Sequence, residues 1–236
     1  MAAPTFRPRI VITDFECSQM QAWVQVYNVI VQGCYWHFSR AVTILSRTMG
    51  LTNFLGYHDR AHSIVSSLLA LPLLPNHMIE EGFMSLAHEA ADLGIYALLH
   101  QFFLKIHETW LAGFRFQMLS VFLAEHRTNV SESANRMLRL RTQVHHANVS
   151  LFLEAIRSME TNSYLDLVSL HGHINPGRPR RASAINNDAY IINISHDLMA
   201  GHLTTNRFLH LASTRTIKFT KTEKLNMREF LDVESL

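Results

Sequence analysis

The chain has 236 residues, of which 48% are hydrophobic and 17% are charged, and its formal net charge is +2. This composition supports a packed core and excludes long disorder, and the length suits one domain, alone or with an appendage. The two cysteines, Cys17 and Cys34, exclude a disulfide framework and favour a reducing compartment. The longest apolar stretch, residues 64–74, is too short to span a bilayer, and no signal peptide is visible. We therefore expect a soluble intracellular protein without a membrane span.

The first predicted elements are two strands separated by a helix. Residues 9–13 are mostly β-branched or apolar and end abruptly at Asp14, which predicts a strand. A helix is expected over about residues 16–26, and a second strand over residues 29–31, stopped by Gly33. Two strands joined through a helix favour parallel pairing in a sheet with helices on its faces.

After Cys34 the pattern is helical for more than a hundred residues. A helix is expected at about residues 93–110, another begins near Ser131, and another follows Asn148. Apolar residues recur at helical spacing in three stripes, which we expect to face the core: Ala61, Ile64, Val65 and Leu68; Ile79, Phe83, Leu86, Ala87 and Ala90; and Val149, Phe152, Leu153 and Ile156.

The C-terminal part carries an uneven charge. Residues 175–181 read Asn-Pro-Gly-Arg-Pro-Arg-Arg, which predicts a loop or linker, and the chain beyond Ser213 is polar. Between Arg127 and Arg181 there are eight arginines and no lysine against four acidic residues. Guanidinium groups suit phosphate oxygens better than ammonium groups do, although composition alone favours a solvated helix face here.

Four residues are candidates for chemistry, and each has a structural alternative. Asp14 stands at a strand end, where ligands bind in α/β sheets, but its position alone favours a helix N-cap, with Thr13 as the other cap. Glu132 follows Asn129 at the spacing of a capping box. Cys34 and His37 offer a thiolate and an imidazole on one side of a turn. Because a structural zinc site usually needs four such ligands, this spacing alone disfavours zinc.

Five short segments follow one another in an informative order. Residues 12–16 read Ile-Thr-Asp-Phe-Glu. Residues 29–38 read Val-Ile-Val-Gln followed by Gly-Cys-Tyr-Trp-His-Phe. Leu-Ala-Leu-Pro-Leu-Leu-Pro at 69–75, Thr-Trp at 109–110 and Arg-Thr-Asn-Val-Ser-Glu-Ser at 127–133 come next. This series resembles the transposase domain of Mutator-like elements (the MULE family) over about residues 9–160. Each segment is weak by itself, and the resemblance depends on their order.

The resemblance implies a fold and a division of the chain. The fold would be α/β and mostly helical, with a truncated RNase H-like core whose first strands are missing. That catalytic part would cover residues 9–160, with an all-helical insertion at about 40–125. Residues 161–213 would form a C-terminal extension with the arginine-rich loop, and residues 214–236 a polar tail.

The resemblance also implies site residues and partners. Asp14 and Glu132 would be two of three carboxylates that bind two Mg²⁺ ions for phosphodiester cleavage and strand transfer. Cys34 and His37 match a CxxH motif close to the family's active site. The candidate DNA contacts are Arg127, Arg139, Arg178, Arg180 and Arg181. The implied partners are transposon DNA and further copies of the chain, in the nucleus.

The sequence departs from the family pattern in its first carboxylate. Only thirteen residues precede Asp14, and none of them is acidic. We therefore expect the chain to be inactive by itself, since loss of one metal-binding carboxylate spoils the positioning of both ions. The alternatives are a non-catalytic DNA-binding or protein-interaction remnant, and an unrelated helical scaffold. A catalytic role predicts that the carboxylates of Asp14 and Glu132 lie within roughly 10 Å of each other.

Overall fold

The structure, a computed structural model, describes residues 8–112, 114–124, 127, 131–142, 148–177 and 180–216. The side chains of residues 114–115 and 131–135 lie outside this description as well. The chain divides into two compact units. The first unit comprises the described residues of Met1–Thr128 and Asn186–Leu236, and the second comprises those of Asn129–Ile185.

The first unit begins with two parallel strands connected by a helix. Strand β1 (Ile10–Thr13) is followed by α1 (Cys17–Tyr27) and β2 (Ile30–Gly33). The strands pair in parallel, from Ile10 opposite Ile30 to Thr13 opposite Gly33. The predicted strands, helix and parallel pairing are therefore confirmed. Gly33 is required at the end of β2, because a Cβ atom there would collide with the ring of Phe15.

The rest of the first unit is helical. Its next elements are α2 (Tyr35–Thr48), α3 (Leu51–Tyr57), α4 (Asp59–Leu68), α5 (Ile79–Asp92) and α6 (Tyr96–Ile106). Helix α6 begins later than predicted, because Gly94 adopts a left-handed conformation (φ +69°) that separates it from α5. A π-helical turn, His107–Leu111, continues α6 and carries the predicted helix to its expected end.

The second unit contains α7 (Ser131–Thr142) and α8 (Val149–His171). Both begin where the sequence predicted, and the side chain of Asn148 caps α8 by accepting a 2.9 Å hydrogen bond from the Leu151 N–H. The predicted domain boundary near residue 160 falls inside α8. Two helices complete the described chain, α9 (Ala182–Met199) and α10 (Thr205–Ser213). The loop predicted at 175–181 lies between α8 and α9.

The core of the first unit lies among its helices. The predicted stripes on α4 and α5 are buried as expected: Ala61, Ile64, Val65, Leu68, Ile79, Phe83, Leu86, Ala87 and Ala90. The core extends to the strands through Trp110, whose indole makes edge-to-face contacts with Phe15 and Phe38 at centroid distances of 4.6 and 5.1 Å. The ends of β1 and β2 are therefore fixed on a packed aromatic cluster.

The predicted core stripe on α8 is wrong. Val149 is 74% exposed, and Phe152, Leu153 and Ile156 are 39–48% exposed, whereas Ala155 is the buried residue of this helix. The stripe is exposed because α8 has few neighbouring helices to pack against in the part of its unit that the structure describes. Among its described residues the second unit offers α8 one long partner helix, α7, and a single partner covers only a narrow face.

The described part of the molecule is thus mostly helical, with one two-stranded parallel sheet. None of its helices has both the length and the apolar character needed to cross a membrane.

Candidate metal centre at the strand ends

The two parallel strands end side by side, and this brings Asp14 and Cys34 together. Thr13 and Gly33 are register partners, and the Cys34 N–H donates a 2.9 Å hydrogen bond to the Thr13 carbonyl. The ladder therefore extends one residue beyond β2. Because neighbouring strands lie roughly 4.8 Å apart, the residues directly after both strands share one edge of the sheet.

Helix α2 then brings His37 to the same edge. Cys34 occupies the N-cap position of α2, and its carbonyl accepts a 3.2 Å hydrogen bond from the Phe38 N–H, which closes the first turn. Residues three apart on a helix lie on the same face, so His37 projects beside Cys34. The start of the helix is also held by the Tyr35 N–H, which donates to the Arg127 carbonyl at 2.8 Å.

The three side chains form what we call the strand-end cluster: Asp14, Cys34 and His37. Nδ1 of His37 lies 3.0 Å from Oδ1 of Asp14. One ligand-type atom from each residue, an oxygen, a sulfur and a nitrogen, lies within 4.8 Å of the other two. The side chains of His37 and Asp14 are 21% and 41% exposed, whereas Cys34 is buried. The Nδ1 atom of His37 is itself buried, so the cluster combines a buried sulfur and a buried ring nitrogen with a carboxylate that solvent reaches.

The helix-cap alternative for Asp14 is replaced by this arrangement. The N-cap residue of α1 is Glu16, whose side chain makes no capping hydrogen bond, so neither predicted cap holds that position. The Thr13 hydroxyl donates instead to the side-chain oxygen of Gln19. Taken by themselves, Asp14 and the Cys34–His37 pair are separate features of the sequence, and only the family resemblance implies that the CxxH motif lies close to the active site. Asp14 and Cys34 each follow a strand by one residue, and that shared offset is the local signal for their meeting.

Tyr35, inside the CxxH motif, has a structural role. Its hydroxyl donates a 3.0 Å hydrogen bond to the Leu69 carbonyl and thereby ties α2 to the chain segment after α4. Burial raises the pKa of Tyr35 to about 12, although hydrogen bonds with Ser39 and Thr216 and the positive charge of Arg127 act in the opposite direction. The phenol is therefore neutral at physiological pH.

A second histidine site, the helix cluster, was not predicted. It consists of His210 on α10, Ser63 and Ser67 on α4, and Glu89 on α5. His210 Nε2 lies 2.8 Å from a Glu89 carboxylate oxygen, and its Nδ1 lies 3.1 Å from both serine hydroxyls. Because a carboxylate only accepts, Nε2 donates to Glu89, and in the neutral ring Nδ1 accepts from the serines.

The helix cluster has the residue types of a catalytic Ser-His-Glu triad, but a substrate could not reach its serines. Both serines lie within the helical turns of α4, and Ser67 is fully buried. A nucleophile must reach its substrate, so this cluster is suited to holding three helices together. Its carboxylate is 121 residues from its histidine, and the only local signal was the i,i+4 spacing of the two serines on α4.

The remaining predicted site residues belong to both units of the chain. The Arg127 guanidinium forms an ion pair with Asp188 on α9. Arg139, Arg180 and Arg181 are exposed, and Arg178 lies outside the described residues. Glu132 lies on α7 of the second unit, and its side chain is outside the description, as is Asn129 of the proposed capping box. The predicted approach of Asp14 and Glu132 stays a prediction.

The donors around Asp14 do not suit Mg²⁺. This ion requires oxygen ligands in near-ideal octahedral geometry, whereas the two side chains that share the strand-end cluster with Asp14 offer a sulfur and an imidazole nitrogen. No chemical step through Mg²⁺ follows from these residues.

Scans against protein-family models, curated proteins and solved structures find no match to this chain. The functional interpretation therefore depends on the strand-end cluster and on the order of the sequence motifs.

Proposed function

We propose that this chain is a fragment of the catalytic domain of a Mutator-like DNA transposase, which binds DNA in the nucleus and does not cut it by itself. The observation that supports this proposal is the meeting of Asp14 with Cys34 and His37 at one edge of a parallel sheet. The two motifs that resemble the transposase family lie about twenty residues apart in sequence, yet their chemical groups share one site.

The lack of cleavage activity follows from the donor chemistry. Two-metal cleavage of a phosphodiester needs carboxylates arranged around a pair of Mg²⁺ ions. The sulfur and nitrogen beside Asp14 favour a different class of metal. The function that remains is contact with the DNA backbone, for which arginine is well suited.

The surface for DNA lies on the arginine-rich loop that precedes α9. Arg180 and Arg181 are exposed there, and Arg139 is exposed on α7. Each phosphate that an arginine neutralises releases counterions, so binding should weaken steeply as the salt concentration rises. The family resemblance adds self-association on DNA as a further element of the proposal.

The test is binding of a fluorescent duplex oligonucleotide, followed by anisotropy over a range of salt concentrations in the presence of a chelator. We expect salt-dependent binding, and we expect the double variant Arg180→Gln/Arg181→Gln to reduce the salt slope by about 2. The matched control is Lys105→Gln/Arg207→Gln, which removes two exposed cations from helices α6 and α10.

Three results would overturn parts of the proposal. Absence of binding at low salt would favour a protein-interaction remnant or an unrelated scaffold. Equal slopes for both double variants would show that the arginine-rich loop is not the DNA surface. A cleaved product that appears on addition of Mg²⁺ would contradict the expected inactivity.

A further inference from the structure

We infer that Asp14, Cys34 and His37 bind one zinc ion, with a fourth coordination position open to water. This inference does not depend on the proposed function, because it concerns only the chemistry of the strand-end cluster. It also differs from the magnesium role that the family resemblance implies for Asp14.

The distances suit a tetrahedral ion. Zinc bonds of about 2.0–2.3 Å separate neighbouring ligand atoms by roughly 3.3–3.7 Å in a tetrahedron. The histidine nitrogen and aspartate oxygen are 3.0 Å apart, and all three ligand atoms lie within 4.8 Å of one another. Shifts of a few tenths of an ångström to about one ångström, within the range of side-chain rotations, would give all three zinc distances.

The ligand types select the metal. A thiolate and an imidazole are borderline-soft donors that favour zinc and related transition metals over Mg²⁺ or Ca²⁺. Three protein ligands of nitrogen, oxygen and sulfur type are the usual number at zinc sites that keep one position for water or substrate. The sequence argued against zinc because the Cys34–His37 spacing offered only two ligands. With Asp14 the site has three, which is enough for a zinc site of this open kind.

The backbone holds the ligands in place without the metal. Cys34 and Asp14 are positioned by adjacent parallel strands, and His37 is positioned by the first turn of α2. The residues that follow two of the ligands, Phe15 and Phe38, pack against the buried indole of Trp110. Ligands on packed elements lose little conformational entropy when they bind, which favours affinity.

The exposure of the ligands determines where the open position lies. Cys34 and the Nδ1 atom of His37 are buried, whereas the Asp14 side chain is 41% exposed. The sulfur and the ring nitrogen would therefore bind zinc from the protein side, and the fourth position would face solvent beside Asp14. Binding breaks the S–H bond of Cys34 and forms an S–Zn bond, and the proton passes to solvent. The Nδ1–H of His37, which faces the Asp14 carboxylate, also gives its proton to solvent, Nε2 takes up a proton, and the Nδ1 lone pair binds zinc. No electrons are transferred.

The experiment uses the full chain, stripped with a chelator and titrated with Zn²⁺ in competition with a colorimetric chelator of known affinity. We expect one zinc per chain. A parallel titration with Co²⁺ should give sulfur-to-cobalt charge-transfer absorption, which reports the thiolate directly.

The variants assign the ligands. Cys34→Ser should abolish the charge-transfer absorption, and Cys34→Ser, His37→Ala and Asp14→Asn should each lower zinc affinity at least tenfold, since even second-shell losses cost about 10–100-fold. Cys17→Ser is the matched control, because it removes the other thiol of the chain and should leave both signals unchanged.

The outcomes are decisive in both directions. The inference is overturned if the wild-type chain binds no zinc, if the cobalt absorption follows Cys17, or if all three variants bind like wild type. Because Cys34 is buried, its variant is first checked for folding by circular dichroism. If it does not fold, His37→Ala and Asp14→Asn carry the test, since both side chains are part-exposed. Loss of DNA binding in the separate chelator-containing assay leaves this result unaffected.

Discussion

The strand-end cluster and the helix cluster each contain a histidine beside a carboxylate, at 3.0 and 2.8 Å. In the helix cluster both ring nitrogens of His210 have partners on packed helices, the serines on one side and Glu89 on the other. In the strand-end cluster, His37 and Asp14 meet a cysteine where two strands end. A histidine–carboxylate pair therefore joins helices in one region and forms part of a candidate metal site in the other.

The difference shows what the surrounding elements contribute. Side chains that connect the middles of three helices are fixed in relation to the core, and their hydrogen bonds stabilise the packing. Side chains at the carboxyl ends of parallel strands meet at an edge with solvent access, where a ligand can enter. Position in the fold, more than residue type, separates the two roles.

The largest expected effect concerns Tyr35, which lies between the two regions and binds the segment after α4. The unfolded chain loses the Tyr35 proton near pH 10, whereas the folded protein keeps it to about pH 12. In this window the unfolded state binds fewer protons, so stability falls as the pH rises. The full loss is about 3 kcal/mol in the free energy of unfolding.

Urea unfolding at intervals from pH 9 to pH 12 measures this loss. Tyr35→Phe should flatten the decline, while Tyr57→Phe, at a position that is 94% exposed, should leave it unchanged. An identical decline in the wild type and in Tyr35→Phe would show that other groups cause it.

The next effect tests the role of the helix cluster. His210→Ala leaves the part-buried Glu89 carboxylate and two serine hydroxyls, one of them fully buried, without their histidine. We expect a loss of about 2 kcal/mol in the free energy of unfolding. Urea unfolding at neutral pH measures it, and His100→Ala, at an exposed histidine on α6, is the control. Equal losses in the two variants would remove the structural role assigned to this cluster.

The smallest effect separates the two clusters most sharply. In the presence of a chelator, His37→Ala should cost less than about 1 kcal/mol, because part-exposed ion pairs contribute little. With zinc, the wild type and His210→Ala should gain equal stability, whereas the gain in His37→Ala should be smaller by at least about 1.4 kcal/mol at the same saturating zinc concentration, since its affinity is at least tenfold lower. Thermal unfolding with and without zinc measures these differences. An equal zinc-induced gain in His37→Ala would contradict the distinction.

The elements that sequence predicted well are those set by local pattern. The run from Ile10 to Thr13, the stop at Gly33 and the apolar stripes of α4 and α5 all depend on residues close together in the chain. Their spacing matches the period of the strand or helix that they form. The start of α6 was missed because a single glycine with positive φ, Gly94, interrupts an otherwise continuous helical pattern.

Other features could not be predicted, because they depend on which elements meet. The apolar stripe of α8 shows which face would be buried, and not whether a partner helix is present to bury it. The contact between Glu89 and His210 joins helices far apart in sequence. From the residues alone, the sequence favoured a cap for Asp14 and disfavoured a metal for His37, and the family resemblance implied only that the CxxH motif lies near the active site. The parallel register of β1 and β2 shows how the two residues meet.

The aromatic cluster beneath the strand ends gives the molecule an optical reporter. Trp110 is the buried tryptophan among the three in the chain, while Trp23 and Trp36 are part-exposed. Its indole contacts the rings of Phe15 and Phe38, which directly follow Asp14 and His37 in sequence. A movement of Asp14 or His37 should therefore reach the Trp110 indole through the adjacent phenylalanine. The fluorescence emission of Trp110 should report metal binding at the strand ends without any attached dye.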